Sequence, residues 1–242
     1  MIKIIITIWL VAIHAFAFLA MWDTDLPYRI DRTLGTRLLN PPEITTLYED
    51  MLGSHQQLDG SVKPGSVIFL GDSLTQGLNV AAVANNAINY GIGMDSSVGL
   101  LRRIPSYPSL KQASTVVIAI GINDLLRAKR SPKAIIKNYH AILNHLSTLA
   151  SNKRTIIVQA VFPVDEQLGL TGLNKQIVQL NQQLQTLAIQ RGYPFINLYD
   201  QFTNHAGQLK PSLHIGDGIH LNNNGYRLWI RALKQEIATH SN

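Results

Sequence analysis

Four short clusters in this sequence hold side chains suited to acyl transfer: Gly71-Asp72-Ser73, the run Asn89-Tyr90-Gly91-Ile92-Gly93-Met94-Asp95, Gly121-Ile122-Asn123-Asp124, and Asp217-Gly218-Ile219-His220-Leu221-Asn222. Acyl transfer needs a reachable nucleophile, a base beside it, and a third group that orients the base. Ser73 follows the apolar run SVIFL, so its hydroxyl is placed where a strand gives way to a helix. His220 is a candidate to take the proton. Asp217 lies three residues earlier, close enough on a turn to hold the other imidazole nitrogen and fix its tautomer. The oxyanion that develops needs fixed donors. The candidates are the Ser73 N–H, a backbone N–H in the Gly93-Met94 turn, and the Asn123 amide.

Each residue also has a plain structural reading. Ser73 could cap a helix, and Asn123-Asp124 could form an Asx turn. Asp217 could be a turn residue beside Gly218, and the glycines at 91 and 93 could serve backbone geometry alone. What favours chemistry is that all four clusters fall, in order, at the ends of expected strands or before an expected helix.

Those elements follow from the hydrophobic rhythm. Short β-branched runs at 66–70, 87–90, 115–120, 155–161 and 194–198 predict strands that are apolar on both faces, as in a buried parallel sheet. Amphipathic stretches near 96–104, 132–149, 173–191 and 223–238 predict helices between and after them. The alternation implies a doubly wound α/β domain, whose ligands bind beyond the carboxyl ends of the strands. The segments 162–173 and 203–216 are the expected mobile walls of the cleft. Tyr90 and Tyr107 are candidate aromatic platforms for a sugar, but the sequence does not place them at the cleft, and the point stays open. His140 and His145 read as helix-surface residues, and His214 has no partner at useful spacing.

Composition narrows the partners. The chain carries 21 Lys and Arg against 15 Asp and Glu, a net +6, but the bases are scattered without interleaved aromatics. That argues against nucleic acid. There is no cysteine and no HExxH spacing among the eight histidines, so a metal site is not expected, and acyl transfer through a serine needs no organic cofactor. Residues 4–22 form one apolar run behind Lys3, near the ~20 residues that span a bilayer. Segment 1–22 is therefore expected to be a membrane anchor or a signal peptide, with Ala15-Phe16-Ala17 resembling a cleavage site. Both readings export the rest of the chain to the membrane surface or beyond. Residues 23–65 read as a polar tether with a helix near 43–52, leaving 66–242 as the catalytic domain.

The pattern resembles the SGNH or GDSL hydrolase family, of the acetylhydrolase type. GDSLTQG is similar to its first block, NYGIGMD to the second, GIND to the third and DGIHLN to the last, followed by Asn-Asn-Gly-Tyr at 223–226. The resemblance implies a flavodoxin-like three-layer α/β/α sandwich with Ser73, His220 and Asp217 as triad and Asn123 as an oxyanion donor. It further implies a small ester, lipid or acetylated sugar as substrate. Where close relatives read GIGGD, this chain has Met94 before the aspartate. Either Met94 still donates its N–H, or Gly93 takes over through a shifted turn. Three functions stay open at this point: hydrolysis of short acyl esters, O-acetyl removal or transfer on an envelope polysaccharide, and binding without turnover.

Overall fold

The structure, a computed structural model, describes residues 9–18, 30, 34, 44–149 and 154–240. The chain divides into two compact units, Met1–Pro42 and Glu43–Asn242. In the first, residues 9–18 are helical, with Trp9, Val11 and Phe18 about two-thirds exposed. Among the described residues no helix is long and apolar enough to cross a membrane. The rest of the anchor or signal peptide expected at 1–22, and most of the tether, lie outside the described residues.

The second unit is built on five parallel strands: β1 (Val67–Gly71), β2 (Ala87–Gly91), β3 (Thr115–Ala119), β4 (Thr155–Gln159) and β5 (Phe195–Ile196). Their spatial order is β2-β1-β3-β4-β5. This is the doubly wound flavodoxin-like order, in which the chain switches direction beside β1. Residues alternate between two cores. Ile68, Leu70, Val116, Ile118, Ile156 and Val158 face one, while Val67, Phe69, Val117 and Ile157 face the other. Both faces are covered, which is why each strand is apolar throughout.

On the first face pack α1 (Thr46–Asp59), α3 (Ser97–Arg103), α5 (Pro132–Thr148) and α6 (Leu173–Gln190), while the four-residue α2 (Ser73–Gln76) follows β1 and α4 (Ile122–Leu126) follows β3. The spacing of Leu173, Ile177, Leu180, Leu184 and Leu187 sets one buried stripe on α6. After the short α7 (Tyr199–Phe202), α8 (Asn223–His240) covers the second face through Trp229, Leu233 and Ile237. Helix α5 begins with Pro132 behind Ser131, whose hydroxyl accepts the Ala134 N–H, a start signal that its sequence carries openly.

Three elements differ from the sequence expectation. Helix α1 runs from the Thr45 cap through Gly53 to Asp59 rather than stopping near 52. β5 is two residues long, because the Asn197 side chain accepts the Tyr199 N–H and turns the chain away. β4 ends at Gln159, because both backbone groups of Val161 bond the Asn181 amide instead of a neighbouring strand. These are side-chain choices that hydrophobic periodicity does not register.

Candidate active site

The carboxyl ends of β1, β2 and β3 bring three of the four clusters to one edge. β1 stops at Gly71, and Asp72 caps α2 by accepting the Leu74 N–H at 3.0 Å. Ser73 is thus the first residue of α2. Its N–H lies in the first helical turn, where the helix itself offers no acceptor. The short helix is held from outside. Asn89 Nδ2 donates to the carbonyls of Thr75 at 2.7 Å and Leu78 at 3.0 Å, and Tyr226 Oη donates to Leu74 O at 3.0 Å. Gly91 permits this approach, since a Cβ there would lie 2.2 Å from the Gln76 nitrogen.

His220 and Asp217 arrive from the segment before α8. Ser73 Oγ lies 2.9 Å from His220 Nε2, and His220 Nδ1 lies 2.5 Å from Asp217 Oδ2. The other Asp217 oxygen accepts the N–H groups of Ile219 at 3.0 Å and His220 at 2.9 Å. Partial burial alone would push the Asp217 carboxyl up. Those two backbone bonds and the imidazole outweigh it and hold the carboxyl below the usual range. A serine, an imidazole and a carboxylate therefore form one continuous hydrogen-bonded line.

Ile92, Gly93, Met94 and Asp95 form a tight turn closed by Asp95 N–H to Ile92 O at 3.2 Å. Met94 takes the left-handed conformation, φ 63°, at the position where a type II turn favours glycine. Asn123, buried at the start of α4, donates through Nδ2 to the Asp95 carbonyl at 2.9 Å, which ties this turn to the β3 edge. A planar amide carries a second N–H on the same nitrogen.

Beneath the turn lies an ion pair that the sequence did not announce. Arg103 is fully buried, and its Nε donates to Asp95 Oδ2 at 2.8 Å while Nη2 reaches the Gly71 carbonyl at 3.0 Å. Burial pushes the Asp95 carboxyl up, and Arg103 pulls it back. Arg103 Nη1 also donates to Tyr107 Oη at 3.1 Å. Tyr107 stacks on Tyr90 with ring centroids 4.3 Å apart, and both rings are buried. Neither is an aromatic platform at a cleft, a point the sequence leaves open. His55 of α1 packs against them, and burial, helped by Arg103, lowers it to about 4.

Asp72 is 2% exposed, and burial pushes it up to about 7 against the opposing Leu74 N–H. It lines an apolar cavity of about 20 Å³ together with Leu74, Ile120, Ile122, Val161, Phe162, Val164 and Ile219. Leu74 and Ile219 adjoin Ser73 and His220 in the chain. Asp124 accepts the Ser97 N–H at 2.8 Å and pairs with Arg130 at 3.2 Å, fixing the start of α3. No group of three or more metal-ligating side chains is present among the described residues.

The expected walls at 162–173 and 203–216 are joined to each other at Val164 and Leu209. Val164 bonds the Asn174 amide at both backbone groups, and the Leu209 N–H donates to Val164 O at 3.0 Å. His214, read as partnerless, is 8% exposed, and its Nε2 lies 3.6 Å from Asp165 Oδ2. Three polar residues with work at this edge, Asn89, Arg103 and His214, thus escaped the sequence reading. Only Asn89 carried a signal, its place in the second cluster.

Residues 69–228 match the model of the GDSL-like Lipase/Acylhydrolase family. No curated protein matches the sequence. Solved structures do. A GDSL-like lipase from Bacteroides thetaiotaomicron superposes with TM-score 0.67 at 19% identity, covering 78% of this chain and 97% of that one. The lipase/acylhydrolase from Enterococcus faecalis gives 0.63 at 21%, covering 72% and 95%. An acetyl-xylooligosaccharide esterase from Geobacillus Stearmophilus gives 0.60 at 19%, covering 72% and 94%. At such identities the structural likeness speaks for the fold alone.

Proposed function

The chain belongs to the GDSL-like lipase/acylhydrolase family, and from that premise we propose that it is a serine esterase cleaving short acyl or acetyl esters through an acyl-enzyme on Ser73. One observation carries the reading: Ser73, His220 and Asp217 stand in an unbroken line at 2.9 and 2.5 Å. His220 Nε2 accepts the Ser73 proton as Oγ attacks the ester carbonyl. Asp217 fixes the tautomer with the proton on Nδ1 and stabilises the imidazolium that forms. His220 then returns its proton to the leaving alcohol. Water repeats the sequence to release the acid and restore Ser73.

The tetrahedral oxyanion is held by the Ser73 N–H, by the backbone N–H of Gly93 or Met94, and by the remaining Asn123 amide proton. Met94 borders this hole with a side chain. The cavity lined by Asp72, Leu74 and Ile219, chain neighbours of Ser73 and His220, is the candidate site for the acyl end of the ester. About 20 Å³ is the room of one small group, so a longer chain has to lie along the surface. The apolar run at 4–22 supports an exported location.

A short acyl pocket also suits an O-acetyl group on a polysaccharide. The burial of Tyr90 and Tyr107 removes the two candidate stacking surfaces for such a polymer, which favours a small ester. Binding without turnover is disfavoured by the unbroken line from Ser73 to Asp217. Hydrolysis of p-nitrophenyl esters of increasing chain length, beside Ser73→Ala, tests the proposal. Turnover greatest on acetate and abolished in the variant is expected. A folded protein inert on every chain length overturns it.

A further inference from the structure

We propose that His214 is a positioning residue for the Asp217–His220 pair, its imidazole clamping the glycine turn on which Asp217 is carried. The inference rests on the assignment of Asp217 and His220 above.

His214 Nδ1 accepts the N–H of Gly216 at 3.0 Å and of Gly218 at 3.2 Å, one on each side of Asp217. Both glycines have positive φ, 109° and 76°. Glycine enters that region easily and leaves it as easily, so the turn needs a restraint from outside itself. Asp217 is bound to His220 by local hydrogen bonds, but those bonds fix only the pair. Where the pair stands relative to Ser73 depends on how the turn is seated.

Accepting two N–H groups requires Nδ1 to be free of its own proton, so the neutral ring carries its proton on Nε2. That nitrogen makes no hydrogen bond among the described residues, but Asp165 Oδ2 stands 3.6 Å away, and its negative charge favours the proton on that side of the ring. Asp165 grips the same turn independently, its N–H donating to Gly218 O at 2.9 Å. Gly218 is therefore held at its N–H by His214 and at its carbonyl by Asp165. A Cβ there would lie 2.9 Å from the Asp165 carbonyl oxygen. The turn closes behind through Ile215 N–H to His220 O at 2.9 Å and Asn222 Nδ2 to His214 O at 3.1 Å. With His214 buried, water is poorly placed to substitute for the imidazole.

Two amide variants separate the acceptor from the bulk of the ring. In His214→Asn, Oδ1 falls near the place of Nδ1 and keeps an acceptor for the two N–H groups. In His214→Gln the amide reaches toward Asp165 and leaves that place apolar. Steady-state ester hydrolysis and thermal melting would be measured for both variants, wild type and Ser73→Ala. His214→Gln is expected to lose about a hundredfold in kcat, the cost of displacing a catalytic group by about 1 Å, with KM within about twofold. His214→Asn should recover most of that loss. The His220 Nδ1–H resonance, read by NMR, reports the seated pair without turnover. It should persist in wild type, Ser73→Ala and His214→Asn and broaden in His214→Gln.

Equal kcat in wild type and His214→Gln would overturn the proposal, as would equal losses in both variants that follow their melting temperatures. If His214→Gln does not fold, Asp165→Asn decides through the tautomer: a weaker kcat loss at constant KM supports the clamp, and an unchanged kcat overturns it. Wild type without turnover, or turnover that survives in Ser73→Ala, would overturn the assignment of the site instead. The NMR comparison would then still decide whether His214 seats the turn.

Discussion

Arg103 Nη2 donates to the carbonyl of Gly71 at 3.0 Å while its Nε holds Asp95 at 2.8 Å. One buried guanidinium thus joins the last residue of the Met94 turn to the strand end that delivers Ser73. The oxyanion donors proposed here come from three separate segments, and Arg103 and Asn123 are the cross-links that set their spacing.

Removing that cation leaves a buried carboxylate without its partner. Arg103→Met is expected to destabilise the fold by about 3–5 kcal/mol, read as a lower denaturant midpoint. Adding Asp95→Asn to the same chain should recover part of the loss, because the uncompensated charge is gone. A double-mutant cycle without coupling between the two positions would contradict the ion pair's role.

Met94 occupies a left-handed conformation that costs a residue with a Cβ about 1–2 kcal/mol. Met94→Gly relieves that strain but adds about 0.5–1 kcal/mol of chain entropy to the unfolded state. The net expectation is a melting temperature that is unchanged or slightly raised. With the side chain gone from the edge of the hole, kcat/KM should rise for longer p-nitrophenyl esters relative to acetate. A profile identical to wild type would show that Met94 does not border the acyl path.

Asp72 gives a pH dependence of definite sign. Its folded carboxyl is raised to about 7 by burial, so between the ordinary carboxylate range and pH 7 the native state keeps a proton that the unfolded chain has released. Stability from this group is full at low pH and falls as pH rises through 7, with a slope of at most about 1.4 kcal/mol per pH unit. Asp72→Asn keeps an oxygen to cap α2 and cannot ionise. It should flatten the slope over that window and be more stable than wild type at pH 8, as denaturant titrations at several pH values would show.

Asp217 has the opposite sign. Its folded carboxyl lies below the usual range, so its contribution is present above that range and lost as pH falls through the folded value. Asp217→Asn should remove this acid-side loss and lower kcat about 10³–10⁴-fold, as expected when the base loses its orienting anion. A fall of less than tenfold in kcat would contradict its assigned place.

The sequence made the sheet and the ends of its strands readable, because parallel strands buried on both faces are short, β-branched and followed by glycine or polar turns. The clusters at 71–73 and 217–222 could be paired before any coordinates, since a serine and a histidine with a nearby aspartate make chemical sense only together. What stayed hidden was long-range polar bonding. Arg103 sits beside Arg102, and nothing in the chain says that one is fully buried while the other is half-exposed and faces Glu49 at 3.6 Å. His214 likewise has its neighbouring carboxylate, Asp165, on a distant loop. Tyr90 and Tyr107 stayed open for a related reason, since a tyrosine's sequence is the same whether its ring lines a cleft or stacks in a core.

The most direct test of Ser73 as nucleophile is covalent. Treating the folded protein with a fluorophosphonate, then measuring intact mass and mapping peptides, should give a single adduct on Ser73. It should be absent from Ser73→Ala and slow to form in His220→Ala. A folded wild-type protein that takes no label, or takes it on another residue, would contradict the account.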